Sequence, residues 1–283
     1  MNNLKIMVVG AGQMGRGIAH VCAMAGFPVI LYDLEQVVVS TGKKLIEDQL
    51  GKQVEKGKLA KQEMMETCKR ITTTTELVQV QTVDFVIEAV VEKITVKKDV
   101  FHQLDKLAPP HTILATNTSS CSITEIAAVT NRPENVIGMH FMNPVPVMKL
   151  VEIIRGLATN DNVFERTKSL AEALNKTPVE VNDYPGFASN RILMPMINEA
   201  IYTVYEGVAT KDAVDEVMKL GMNHPMGPLR LADFIGLDTC LYIMETLHNG
   251  LGDDKYRPCP LLKNYVKAGW LGKKTGRGFY QYE

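Results

Sequence analysis

The feature that most restricts how this chain can fold lies at its start. Leu4-Lys5-Ile6-Met7-Val8-Val9 is a short apolar run of buried-strand type, and it leads directly into Gly10-Ala11-Gly12-Gln13-Met14-Gly15. In a G-x-G-x-x-G turn the first glycine permits the tight bend, the second lets backbone approach a pyrophosphate, and the third lets helix pack on strand. The helix opened there, residues 14–25, stops at Gly26, and residues 27–32 read as a second strand ending at Asp33. Asp33 stands 18 residues beyond Gly15, near the distance at which an acid meets the hydroxyls of an adenosine ribose. A glycine turn alone is as often structural as functional. Strand, turn, helix, strand and acid in this order specify a βαβ unit that takes a dinucleotide at Gly10, Gly12, Gln13, Met14, Gly15 and Asp33.

Alternation continues. Residues 36–58 read as a charged helix with Ile46, Leu50 and Val54 on one face and Lys52 and Lys56 sharing another, stopped by Gly57. Such a lysine face is ordinarily solvated surface. A further helix is expected over 64–69, a strand over 71–74, and a better strand over 83–92 that ends with Glu88 and Glu92. A helix over 93–107, broken by Pro109-Pro110, returns as a strand over 112–115, which empties into the polar run Thr116-Asn117-Thr118-Ser119-Ser120. Ser120 or Ser122 can cap a helix over 123–129, so hydroxyls here have a structural reading beside a chemical one. A strand over 135–141, a helix over 160–174 and a strand over 177–181 complete the half. The pattern predicts an α/β fold with a doubly wound, mostly parallel, Rossmann-type sheet. After Asn182-Asp183-Tyr184-Pro185-Gly186 no strong strand run follows, and five helices are expected over 187–206, 211–220, from Pro228, 237–248 and 261–267. The expected domains are 1–184, dinucleotide-binding, and 185–283, smaller and all-α, with enough Leu, Met and Ile to bury a surface in a second copy.

Within the first domain, Gly138 to Glu152 puts a histidine and a carboxylate on two apolar arms around Pro144 and Pro146, which interrupt regular structure. If the arms fold back as antiparallel strands about Pro146, His140 and Glu152 fall opposite one another, each six residues from that centre. A histidine held by a carboxylate is a common general base, though a satisfied histidine at a strand end remains the alternative. The strand over 135–141 brings His140 to the sheet edge that holds the glycine turn and the serines, and the pair is expected to form an antiparallel edge of the sheet. Asn190, in the first turns of the next domain, is either a surface amide or a group reaching that crevice.

Composition excludes several classes. A formal net charge of −1 over 283 residues argues against a general nucleic-acid or membrane-surface binder, and no apolar run is long enough to span a bilayer. Met1-Asn2-Asn3-Leu4-Lys5 lacks the basic leader and long apolar run of a signal peptide, so a cytoplasmic protein is expected. Cys22, Cys68, Cys121, Cys240 and Cys259 are odd in number and never spaced C-x-x-C, as reduced thiols would be, and no metal motif occurs.

Together, Gly10 to Ala19, Asn117-Thr118-Ser119-Ser120, Gly138 to Glu152, Pro185-Gly186-Phe187 with Asn190-Arg191, Gly227-Pro228 with Ala232-Asp233 to Asp238, and Gly272 to Tyr280 resemble the 3-hydroxyacyl-CoA dehydrogenases end to end. The resemblance is closest to the single-function bacterial 3-hydroxybutyryl-CoA dehydrogenases. It implies NAD as cofactor, an acyl-CoA substrate and a homodimer formed through the helical domain. It also implies a catalytic set of Ser119, His140, Glu152 and Asn190, with Ser119 and Asn190 on the substrate. Further implied are cofactor contacts at Asp33, Glu92, Lys97, Asn117 and Asn143, and CoA contacts at Lys52 and Lys56. Arg230 departs from the acidic or neutral residue expected there and leaves the catalytic set untouched. The competing expectations are another Rossmann dehydrogenase acting on a different β-hydroxy acid, and a non-catalytic relative that keeps the fold and NAD.

Overall fold

The computed structural model describes residues 4–282. The chain divides between Asp183 and Tyr184 into two compact units. The first is built on one sheet of eight strands: β1 (Ile6–Val9), β2 (Val29–Tyr32), β3 (Ile71–Thr74), β4 (Phe85–Glu88), β5 (Ile113–Thr116), β6 (Val136–Phe141), β7 (Leu150–Arg155) and β8 (Thr177–Asn182). Their spatial order is β3-β2-β1-β4-β5-β6-β7-β8, with every neighbouring pair parallel except β6 and β7. The central strands β1, β2, β4 and β5 are buried at every residue, as a parallel sheet covered on both faces requires.

The crossovers are α1 (Gln13–Met24), α2 (Gln36–Glu55), α3 (Lys61–Arg70), α4 (Ile94–Leu107), α5 (Ile123–Ala127) and α6 (Asp161–Ala173). The apolar faces of α1, α2, α3 and α6 join one core running from Ile6 and Ile18 through Leu50 and Phe85 to Ile153 and Leu170. Ser122 caps α5, accepting from the Glu125 N–H at 3.2 Å, while Ser120 is used elsewhere.

Two expectations need correction. The strand expected over 83–92 stops at Glu88, because the Glu88 carboxylate takes the Val90 N–H at 2.6 Å and turns the chain out of the ladder. The antiparallel pair is present, but it is not the sheet edge: β8 adds in parallel beyond β7. Lys176, just before β8, is buried and donates to the Val145 and Met148 carbonyls of the β6–β7 loop.

The second unit is helical: α7 (Ser189–Tyr205), α8 (Lys211–Gly221), α9 (Pro228–Ile235), α10 (Leu237–Leu251) and α11 (Pro260–Lys267). Thr210 caps α8 and Pro228 occupies the first turn of α9, as their chemistry favours. Met194, Ile197, Ile201, Leu229, Cys240, Met244 and Leu262 form its core. The terminal segment is tied to it by Asp233, whose carboxylate accepts from the Phe279 and Tyr280 N–H groups at 2.9 Å each. Arg230, the departure noted above, lies 3.9 Å over the Tyr280 ring, a packing role.

Candidate active site

The glycine turn shows three separate reasons for glycine. Gly10 has a φ of +104°, and a Cβ there would meet the Ala89 carbonyl oxygen at 2.5 Å. A Cβ at Gly15 would lie 1.7 Å from the Gly10 oxygen, so the close approach of α1 to β1 forbids one. At Gly12 nothing comes within 4 Å. Its missing side chain therefore serves space outside the protein, at the amino terminus of a 12-residue helix where backbone N–H groups and the helix dipole favour phosphate. Asp33 ends the adjacent strand, and its Oδ2 accepts from the Ala11 N–H at 2.8 Å. Gly10, Gly12 and Asp33 line one cavity of about 460 Å³ with Leu34, Val38 and Val91. An open backbone cradle, an acid beside it and an apolar slot beyond fit a dinucleotide with an adenosine end.

Beyond the turn, the sheet order reverses between β1 and β4, so the carboxyl ends of β4, β5 and β6 flank the crevice from the other side. Glu92, four residues past β4, gathers the loop that follows β5. Its Oε1 accepts from the Thr118 hydroxyl, from the Ser119 and Ser120 N–H groups at 2.8 and 3.0 Å, and from their hydroxyls at 3.2 and 2.9 Å. Its Oε2 is 3.1 Å from Lys97 Nζ, which also meets Glu88 Oε1 at 2.9 Å. Burial raises the Glu92 carboxyl, but the Lys97 ammonium and the donors of 118–120 outweigh it and hold it below the usual range. Lys97 is raised in turn, because Glu88 and Glu92 overcome the burial that opposes its charge.

Asn117 joins this loop to β6: its N–H reaches the Glu88 carbonyl at 2.7 Å, and its Oδ1 accepts from the Phe141 N–H at 2.9 Å. His140 is thereby seated beside it. In the β6–β7 pair His140 faces Glu152, and His140 Nδ1 lies 2.8 Å from Glu152 Oε2 with both side chains buried. An ionised carboxylate only accepts, so the ring donates through Nδ1. Gln13 Nε2 donates to Asn143 Oδ1 at 3.1 Å, linking the start of α1 to the loop that follows β6.

Most of the sequence-derived residues thus lie at one edge of one sheet: Gly10, Gly12, Gln13 and Gly15 after β1, Glu92 and Lys97 after β4, Asn117 and Ser119 after β5, His140 in β6 with Asn143 after it, Glu152 opposite His140 in β7, and Asp33 after β2 on the Ala11 N–H. Met14 is half-buried in the first turn of α1. Lys52 and Lys56 are exposed on the last turn and cap of α2, a position that also suits cations facing a helix carboxyl end. Asn190 belongs to the second unit, buried in the first turn of α7. Sequence reasoning missed the bonding of Glu88, Thr116 and Thr118, although all three stand in polar positions at strand ends, the signal that marks this edge.

An open glycine turn at a helix amino terminus, an acid beside it and a carboxylate-held histidine on one sheet edge fit an oxidoreductase of the Rossmann type. Residues 5–184 match the family model for the 3-hydroxyacyl-CoA dehydrogenase NAD-binding domain, and residues 186–282 match that for the 3-hydroxyacyl-CoA dehydrogenase C-terminal domain. The chain belongs to the 3-hydroxyacyl-CoA dehydrogenase family. It is 64% identical to the probable 3-hydroxybutyryl-CoA dehydrogenase of Bacillus subtilis over 99% of this chain and 97% of that one. It is 55% identical to the 3-hydroxybutyryl-CoA dehydrogenase of Bradyrhizobium diazoefficiens over 98% and 95%. The crystal structure of (S)-3-hydroxybutyryl-CoA dehydrogenase from Ralstonia eutropha superposes with a TM-score of 0.97 at 46% identity, covering 99% of each chain.

Proposed function

We propose that this chain catalyses the NAD-dependent, reversible oxidation of a short-chain (S)-3-hydroxyacyl-CoA, 3-hydroxybutyryl-CoA foremost, to the 3-oxo thioester. The observation that carries this reading is the 2.8 Å His140–Glu152 pair at the sheet edge shared with the glycine cradle. The names of the most similar relatives support the choice of substrate.

His140 takes the proton of the C3 hydroxyl at Nε2 in oxidation and returns it to the ketone oxygen in reduction. Glu152 fixes the ring through Nδ1 and stabilises the imidazolium. Ser119, positioned through Glu92, and Asn190 donate to substrate oxygens. NAD, when bound, supplies the hydride acceptor. Gly10, Gly12, Gln13, Met14, Gly15, Asp33, Glu92, Lys97, Asn117 and Asn143 hold it, and Lys52 and Lys56 take the CoA phosphates. The exposed Val208, Val217 and Leu220, beside an apolar groove of about 500 Å³ between α7 and α8, support a homodimer through the helical unit. Five unpaired cysteines, with burial pushing the Cys22 thiol up to about 12, suit the reducing cytoplasm. No helix among the described residues is long and apolar enough to cross a membrane.

The test follows NADH absorbance with acetoacetyl-CoA, longer 3-oxoacyl-CoAs and free β-keto acids. Turnover of acetoacetyl-CoA at least about 100-fold more efficient than of acetoacetate is expected, a difference of about 2.7 kcal/mol. Asp33 and the absence of Lys or Arg over residues 34–40 set NADH above NADPH by about tenfold or more. Preference for a free acid, or no turnover of any thioester, overturns the assignment.

A further inference from the structure

Lys97 is 1% exposed, and two carboxylates close on it, Glu88 at 2.9 Å and Glu92 at 3.1 Å. One cation against two anions leaves a net charge of −1. The hydrogen-bond pattern fits both acids as carboxylates, since each accepts from several donors. Glu88 Oε1 accepts from the Val90 N–H at 2.6 Å, and Oε2 accepts from the Thr116 hydroxyl at 2.6 Å, whose oxygen in turn accepts from the Thr118 N–H at 3.2 Å. Glu92 Oε1 meets donors from Thr118, Ser119 and Ser120. The lowered Glu92 and the raised Lys97 agree with that charge state.

The position of the cluster gives this charge a consequence. Asp33 at the end of β2 takes the adenosine side of the crevice, and the glycine turn takes the pyrophosphate. The other half of the dinucleotide therefore crosses the reversal of strand order to the side where Glu88 ends β4, Ser119 follows β5 and His140 stands near the end of β6. That half carries a positive charge on its ring when oxidised and none when reduced.

We propose that Glu88 is a specificity-determining residue that keeps this buried cluster at −1 and so favours the oxidised nucleotide over the reduced one. The inference rests on the NAD reading above and adds to it a residue that chooses between the two redox states of the cofactor. At an effective dielectric near 20, one unit charge acting across about 10 Å would change an affinity about tenfold. A purely structural role would weaken both nucleotides alike, so the ratio of affinities separates the two.

Calorimetric titration with NAD⁺ and with NADH tests it on the full chain. Glu88→Gln, which keeps the shape and removes the charge, is expected to raise Kd(NAD⁺)/Kd(NADH) about tenfold. Thr116→Val, which removes a neutral bond to the same carboxylate, is expected to leave the ratio within about twofold of the parent. Should Glu88→Gln fail to fold, Glu92→Gln neutralises the same cluster from its partly exposed end and moves the ratio in the same direction. A ratio unchanged while both nucleotides still bind overturns the proposal and leaves the NAD reading standing. A parent protein that binds neither nucleotide overturns the NAD reading itself.

Discussion

Replacing His140 and Glu152 singly and together measures whether they act as one unit. A positioned acid–base is worth about 10²–10⁴ in rate, so His140→Gln is expected to lower kcat by that factor while NADH still binds. Glu152→Gln keeps volume and a hydrogen-bonding amide at a buried position but removes the charge facing the ring at 2.8 Å. Hydrogen bonds to a charged group contribute about 1.5–3 kcal/mol, which corresponds to a loss of about 10- to 100-fold. That charge acts on the reaction only through the imidazole. Once His140 is gone there is no imidazolium to stabilise, so the double variant is expected to match His140→Gln, with a coupling as large as the whole Glu152 effect. Initial rates with acetoacetyl-CoA and NADH supply the four kcat values, and NADH titrations and urea unfolding show that each variant is folded and binds cofactor. Losses that add in ΔΔG‡, or a His140→Gln variant within a few-fold of the parent, would refute the reasoning.

Gly12→Ala is expected to unfold at the parent's urea midpoint, since nothing lies within 4 Å of its Cβ, yet to bind NADH at least about tenfold more weakly; Gly15→Ala, aimed at a carbonyl 1.7 Å away, is expected to lose stability as well, by about 1–3 kcal/mol. Lys52→Ala with Lys56→Ala is expected to raise KM for acetoacetyl-CoA in a salt-sensitive manner and to leave KM for NADH alone; an unchanged thioester KM at low salt would make them ordinary surface charges. Asp105 accepts from the Asn131 N–H and side-chain amide and from Arg132 Nε at 2.7–2.9 Å, and although burial raises its carboxyl these partners bring it below the usual range. A folded value below the unfolded value of about 3.9 means its stabilisation is complete above about pH 4 and is lost as pH falls through the folded value. Asp105→Asn is therefore expected to cost about 1–3 kcal/mol at pH 7, with the parent and variant midpoints converging in acid.

What the chain's linear order could determine was what depends on near neighbours. Gly10 and Gly15 announce local needs, a φ of +104° at the first and the Gly10 oxygen 1.7 Å from a Cβ at the second. The facing of His140 and Glu152 follows from counting outward from Pro146, because antiparallel strands joined by a short loop share a register set by that loop. The caps at Ser122 and Thr210 and the start at Pro228 are local in the same way.

Other features depend on how far each strand rises above the sheet edge, which no local rule gives. Glu88 and Lys97 are 9 residues apart and Glu92 and Ser119 are 27 apart, and they meet only because β1, β4 and β5 stand in register and the chain leaves β4 at Glu88. Whether Ser120 capped a helix or bound Glu92 was decided there too. Lys176 could not be read as the residue that holds the loop at 145–148, since β8 had first to pass β7 and take the sheet edge. Parallel neighbours are joined through long crossovers, so their relative heights, and with them the charge of the Glu88–Lys97–Glu92 cluster, are decided by packing of the whole core and not by any stretch of sequence.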